Sequence, residues 1–153
     1  MYRLGPEEVE VFLVHPGGPF FAGRDAGVWS VPKGLFEDGE PPLKTARREF
    51  EEETGQQVEA CTADGILMPL GSVVQRGGKT VHAWAFRGDW PEGVTVQSNT
   101  FTLEWPPRSG RLREYPEVDR GAFFGLRQAR QKINPAQAEL IDRLLEKLGR
   151  GSG

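Results

Sequence analysis

Glu49, Glu52 and Glu53 stand three and four residues apart inside a helical pattern, a spacing that gathers three carboxylates on one side of a helix. They belong to residues 34–56, GLFEDGEPPLKTARREFEEETGQ, which hold seven carboxylates: Glu37, Asp38, Glu40, Glu49, Glu51, Glu52 and Glu53. On a wheel of roughly 100° per residue, Leu43, Ala46 and Phe50 form an apolar stripe with the three glutamates beside it. Lys44, Arg47 and Glu51 fall on the far side. Like charges so placed repel one another, and partial burial raises the cost. A hard divalent cation, Mg²⁺ or Mn²⁺, would relieve it, because such ions prefer carboxylate oxygen. The competing interpretation is a solvated acidic helix paired by Arg47 and Arg48.

The elements that must position this face can be read around it. Residues 34–39 are a turn rich in glycine and acid. Pro41 and Pro42 suit a helix start, where a missing N–H costs nothing, and Gly55 suits a helix end. Upstream, residues 9–15 (VEVFLVH) predict a strand by their β-branched and aromatic content. Residues 16–25 are a glycine-punctuated loop, and residues 29–31 a short strand leading into Pro32-Lys33-Gly34. Residues 1–4 are all that remains for an earlier strand, so the N-terminus is expected to be trimmed.

Downstream, residues 58–61 and 66–75 are expected strands. Gly77-Gly78 makes a tight hairpin turn, and residues 80–87 return. In that return Val81, Ala83 and Ala85 share one face; His82, Trp84 and Phe86 share the other. Residues 89–109 are expected to be long and irregular, an ordered lid or active-site wall. Residues 118–124 are expected to be the last strand, followed by a helix at 126–132. Asn134-Pro135 then caps a second helix, with Gln137 as back-bonding partner and Ala138, Ile141, Leu144, Leu145 and Leu148 as its apolar face. This order suggests an α/β fold with a mixed sheet between helices.

Composition narrows the classes. With 153 residues, a single domain over residues 1–150 is expected, and Gly151-Ser152-Gly153 is set aside as an engineered scar or frayed end. The net charge of −3 gives no bulk attraction to nucleic acid or to an anionic membrane, so a polyanionic ligand would need local Arg and Lys or a metal. No apolar run approaches a membrane span, and no membrane partner is expected. Cys61, alone, cannot form an internal disulfide; it suits a cytoplasmic protein and reads as a small buried hydrophobe. His15, beside Pro16, reads as structural or partly solvated. The oligomeric state, monomer or homodimer, is not readable.

The segment has a fixed order: Gly34, five residues, Glu40, seven residues, Arg48-Glu49-Phe50, one residue, Glu52-Glu53, one residue, Gly55. This resembles the signature of the Nudix hydrolases, a loop–helix–loop that binds divalent metal and a diphosphate. Gln56 departs from it, standing where that family usually has an aliphatic residue. WSVPKG before it and SNTFTLEWPPRSG after it resemble a bacterial subgroup of Nudix pyrophosphohydrolases, extending the likeness over residues 9–148.

The resemblance implies an α/β/α sandwich and a Mg²⁺- or Mn²⁺-dependent phosphoanhydride hydrolase. It implies that Glu49, Glu52 and Glu53 are metal ligands, with Glu40 and the carbonyl of Gly34 as further ones, and that Arg48 holds Glu49. A downstream carboxylate often serves such relatives as ligand or base; of Glu104, Glu114 and Glu117, Glu117 is the first choice because it precedes an apolar strand. Lys33 could contact phosphate or be a solvated loop lysine. His82 and Trp84 could line a pocket or be ordinary sheet-face packing. Arg108, Arg111 and Arg113 could clamp a polyphosphate or be a surface cluster. Pro-Lys-Gly resembles relatives acting on dinucleoside polyphosphates, capped RNA or diphosphoinositol phosphates, whereas those that sanitise oxidised nucleotides more often carry Gly-Gly. Because the chain is small and acidic, a small-molecule nucleotide is expected rather than RNA, with a dinucleoside polyphosphate or NTP favoured. The alternative is a catalytically silent nucleotide sensor of the same fold.

Overall fold

The computed structural model describes residues 1–33 and 39–150. Gly34, Glu37 and Asp38 lie outside them, as does the tail 151–153.

Strand β2 (Val9–Pro16) organises the sheet, pairing antiparallel with β1 (Tyr2–Leu4) on one side and β7 (Val118–Gly125) on the other. Its two faces explain its sequence. Val9, Val11 and Leu13 join one apolar cluster, while Phe12 and Val14 join a second one on the opposite face. A strand turns alternate side chains to opposite sides, so a strand with an unbroken apolar run, here residues 11–14, must be covered on both. Burying each of these side chains is worth about 1.5–3 kcal/mol, which makes β2 the anchor of the sheet.

Strands β3 (Met68–Val74) and β4 (Thr80–Ala85) form the expected hairpin. Gly77 and Gly78 turn it at φ of 91° and 84°, a region open to glycine at little cost. β4 meets the rest of the sheet through β1, where Tyr2 bridges Arg87 in parallel and its N–H donates to the Phe86 carbonyl at 3.0 Å. Parallel and antiparallel neighbours thus combine in a mixed arrangement.

Helices cover both sides. Helix α1 (Pro42–Thr54) and the single turn α2 (Val58–Cys61) pack Phe50, Val58 and Cys61 against Phe86. On the other side α3 (Leu126–Lys132) and α4 (Ala138–Lys147) bury Ala129, Leu140, Ile141, Leu144 and Leu145 against Val9, Val11, Leu13 and Ala85. The faces expected for residues 80–87 follow this layering: Val81, Ala83 and Ala85 look towards α4, and Phe86 towards α1.

Four expectations need correcting. Residues 58–61 form a helical turn, not a strand. Val58 and Cys61 are both buried, and only a helix brings positions three apart to one side. Residues 89–109 are not wholly irregular, because β5 (Thr100–Glu104) and β6 (Leu112–Pro116) make an antiparallel hairpin. β5 alternates between exposed and half-buried residues, but β6 is exposed over Leu112, Arg113 and Glu114, and the prolines at both ends further hid the pattern. Residues 29–31 do not form a strand; Trp29 and Ser30 make isolated bridges, to Ile133 and Val14. The Gln137 side chain does not bond back to the helix cap. It is fully buried; its Oε1 accepts from the Val31 N–H at 3.0 Å and its Nε2 donates to Gln75 Oε1 at 2.8 Å.

The candidate active site

Helix α1 begins at Pro42 and ends where Gly55 takes φ of 82°, the left-handed stop the sequence suggests. A Cβ at Gly55 would lie 2.8 Å from the Gln97 carbonyl oxygen, so this end needs glycine for its backbone angle and for close approach. The wheel holds. Lys44, Arg47 and Glu51 are exposed, Phe50 is buried, and Glu49 lies beside it at 8% exposure. Glu52 and Glu53 are half-buried. Arg47 pairs with Glu59 away from the site.

Charge is placed against local helix physics. No acid lies in the first turn of α1 and no base in its last, so the glutamates crowd the negative end of the helix dipole. Each such placement costs about 0.3–1 kcal/mol near the surface, and only another cation offsets it. Arg48 supplies one positive charge. Its Nη2 and Nε donate to Glu40 at 2.9 and 3.2 Å, and its Nη1 to Glu49 at 3.0 Å and Glu52 at 3.1 Å. Glu40 also accepts from the Thr45 hydroxyl at 2.6 Å. One guanidinium therefore gathers three of the expected carboxylates. The bond to Glu40 is the foremost reason the Arg48 guanidinium is held even more firmly protonated than usual.

Glu53 stands outside that set. Its Oε2 accepts from the Lys33 backbone N–H at 3.2 Å. Burial pushes its carboxyl up to about 8; the Lys33 N–H and charge pull the other way, while Glu49 and Glu117 push further up. Glu49 is also raised, first by burial and then by Glu52, with Glu117 adding to it. Glu117 thus acts electrostatically on both. Its backbone explains why: the Asn99 N–H donates to the Glu52 carbonyl at 2.8 Å, and the Asn99 carbonyl accepts from the Glu117 N–H at 2.8 Å. Glu104 and Glu114 are engaged elsewhere, with the Gly110 N–H and the Thr100 hydroxyl of the β5–β6 hairpin.

The other expected residues separate into two groups. Lys33, His82 and Trp84 border a cavity of about 120 Å³ that α1 and β4 line together with core residues of β2 and α4, among them Leu13 and Leu144. Arg108, Arg111 and Arg113 are exposed on the β5–β6 hairpin, Arg108 at its turn with φ of 61°. Arg113 lies three residues from Pro116, roughly 10 Å along the strand from the hairpin base. Trp105 packs edge-on to Phe20, ring centres 5.2 Å apart. His15 is fully buried, its Nδ1 2.9 Å from Asp119 and its Nε2 2.7 Å from the Arg24 carbonyl, a structural role. Cys61 is buried and free.

Sequence reasoning missed Thr45 and Asn99. Thr45 is buried on the core side of α1, so a wheel that counted threonine as able to face inward would have found it. Asn99 acts through its backbone, which leaves no signal in residue type.

The model of the NUDIX domain matches residues 4–144. The chain belongs to the Nudix family. Its Nudix fold is similar to that of a C. elegans Ap4A hydrolase, solved in a binary complex. That structure is 20% identical over 97% of this chain and 93% of that one, with a TM-score of 0.64. A second structure of C. elegans Ap4A hydrolase superposes with a TM-score of 0.58 at 20% identity, covering 96% and 92%. The E. coli ORF135 protein is similar over 99% of this chain and 90% of its own, at 17% identity and a TM-score of 0.53. At these identities the likeness establishes the Nudix architecture. No described helix is long and apolar enough to cross a membrane.

Nudix proteins generally use a divalent metal. In donor chemistry these residues fit one: every candidate ligand side chain is a carboxylate, Glu49 and Glu53 are raised by burial and by neighbouring carboxylates, and Glu52 and Glu53 sit at the wrong end of a helix dipole. Among the described residues no three such side chains already converge into a cage.

Proposed function

We propose that this Nudix hydrolase is a divalent-metal-dependent pyrophosphohydrolase that cleaves a phosphoanhydride in a nucleoside diphosphate-linked substrate. A dinucleoside polyphosphate is favoured over an NTP. The observation that carries the reading is the half-buried carboxylate face of α1, whose Glu49 and Glu53 are both pushed towards protonation while Glu117 presses on them from just before β7.

Glu49, Glu52 and Glu53 would hold Mg²⁺ or Mn²⁺, with Glu40 behind them and the Gly34 carbonyl contributing from outside the described residues. When bound, the metal supplies charge neutralisation and a more acidic water. Arg48 keeps Glu40, Glu49 and Glu52 in one arrangement, so they need not reorganise when substrate arrives. Glu117, tied to the end of α1 through Asn99, takes the proton of the attacking water. Lys33 meets a phosphate beside Glu53, and His82 and Trp84 receive the nucleoside end at the cavity they border. Arg108, Arg111 and Arg113 meet the far end of a longer phosphate chain.

Pro32-Lys33-Gly34 and the fold shared with an Ap4A hydrolase support the substrate preference. The test is a panel of diadenosine tetraphosphate, ATP, 8-oxo-dGTP, ADP-ribose and a diphosphoinositol phosphate. It is run with Mg²⁺, with chelator, and in ¹⁸O-water to locate the attacked phosphorus. Highest kcat/KM for the tetraphosphate, abolished by chelator, is the expected result. Preference for ADP-ribose or 8-oxo-dGTP overturns the substrate and leaves the chemistry standing. Tight binding with no turnover of any compound makes the protein a sensor.

A further inference from the structure

We propose that Ser98 is a positioning residue that sets where the Glu117 carboxylate stands against α1, a role resting on the assignment of Glu117 to the active site. The end of an α-helix leaves carbonyls without partners inside the helix. Here residues 97–99 take two of them: the Gln97 N–H donates to the Thr54 carbonyl at 3.0 Å and the Asn99 N–H to Glu52 at 2.8 Å. The same short strap then grips the start of β7. The Asn99 carbonyl accepts from the Glu117 N–H at 2.8 Å. The Ser98 hydroxyl accepts from the Val118 N–H at 3.0 Å and lies 3.1 Å from the Val118 carbonyl and 2.8 Å from that of Asn99.

The strap is therefore a bridge with α1 on one bank and Glu117-Val118 on the other. Three of its four crossings are backbone bonds that no substitution deletes cleanly. The fourth is a side chain. Ser98 occupies the place a neighbouring strand would take beside Val118, and Val118 is itself buried against Phe12 and Val14. Removing the hydroxyl leaves the Val118 N–H without its acceptor, and the shift this allows at Val118 carries the adjoining Glu117 with it. Gly17, whose N–H donates to the Glu117 carbonyl at 2.9 Å, holds the other side and keeps the strand from detaching. Ser98→Ala should thus displace Glu117 rather than unfold β7.

Displacing a catalytic group by about 1 Å can cost up to roughly 100-fold, so a partial release predicts about a tenfold loss. The experiment compares kcat and KM for wild type, Ser98→Ala, Ser98→Thr, Glu117→Gln and the Ser98→Ala/Glu117→Gln pair. It uses Mg²⁺ and whichever panel nucleotide is turned over fastest. The expected result is kcat down about tenfold in Ser98→Ala with KM within about twofold. Threonine, which keeps the hydroxyl, restores the rate, and no further loss appears when Ser98→Ala is added to Glu117→Gln. A slow Glu117→Gln with an unimpaired Ser98→Ala overturns the positioning role alone. Equal Ser98→Ala losses in both backgrounds make Ser98 merely structural. A Glu117→Gln enzyme at the wild-type rate overturns the assignment of Glu117 and this inference with it.

Discussion

The carboxylate face of α1 and the arginine-bearing β5–β6 hairpin are opposite solutions to handling charge. On α1 the acids are drawn partly out of water, cross-linked by Arg48, and raised by burial and by one another. On the hairpin Arg108, Arg111 and Arg113 are exposed and, among the described residues, form no ion pair. Buried charge is costly and therefore strong when a partner of opposite sign arrives; exposed charge is cheap and screened within about 8–10 Å at physiological salt. The first suits chemistry and the second suits gathering a long anion.

Substitutions can break this contrast, and the largest effect belongs to α1. Glu53→Gln or Glu52→Gln is expected to lower kcat by about 10²–10⁴ with unchanged circular dichroism. A rate within a few-fold of wild type would put the chemistry elsewhere. On the hairpin the combined Arg108→Gln, Arg111→Gln, Arg113→Gln protein should raise KM for diadenosine tetraphosphate by about three- to tenfold, because exposed pairs are worth about 0.2–1 kcal/mol each. The loss should shrink at high salt, with kcat little changed. A collapse of kcat would move the hairpin from gathering to chemistry.

pH sharpens the contrast from the side of stability. Glu53 has a folded pKa of about 8 against an ordinary 4.5, so between those values the folded chain holds a proton that the unfolded chain has lost. The stability this contributes is fully present below pH 4.5 and is lost as pH rises through 8. Thermal melts of chelated protein should show that decline, and Glu53→Gln should flatten it. Added Mg²⁺ should raise the melting temperature most at the alkaline end, where the carboxylate is charged. The smallest effect should come from Glu51→Gln. That side chain is exposed on the far side of α1, and turnover should stay within about twofold. A loss as large as that of Glu53→Gln would mean the helix register is wrong.

What was legible in the sequence follows the same divide. The acidic helix could be read to the residue because its apolar stripe, double proline and final glycine all agree. β2, the β3–β4 hairpin and α3 were equally plain, β2 from its β-branched and aromatic run and the hairpin from Gly77-Gly78 and the alternation of β4. The β5–β6 hairpin was not, since proline at 106, 107 and 116 and a polar outer face mask alternation. Residues 58–61 carried too few positions to separate a period of two from one near four. Thr45 and Asn99 escaped because one is polar inside a buried stripe and the other contributes only main chain. No local pattern reveals a bond to a residue far along the chain.

Gln137 carries such bonds to a consequence for how the protein is made. Its side chain binds Ser30 and Val31, just before the loop that enters the acidic helix, and Gln75 at the tip of the β3–β4 hairpin. Those partners leave the ribosome long before Gln137 does. The segment leading into the acidic helix thus waits until residue 137 has been made. A chain halted before Asn134 should exchange its Val31 amide hydrogen freely, so an unfinished copy of this hydrolase would be released without this tie on the approach to its acidic helix.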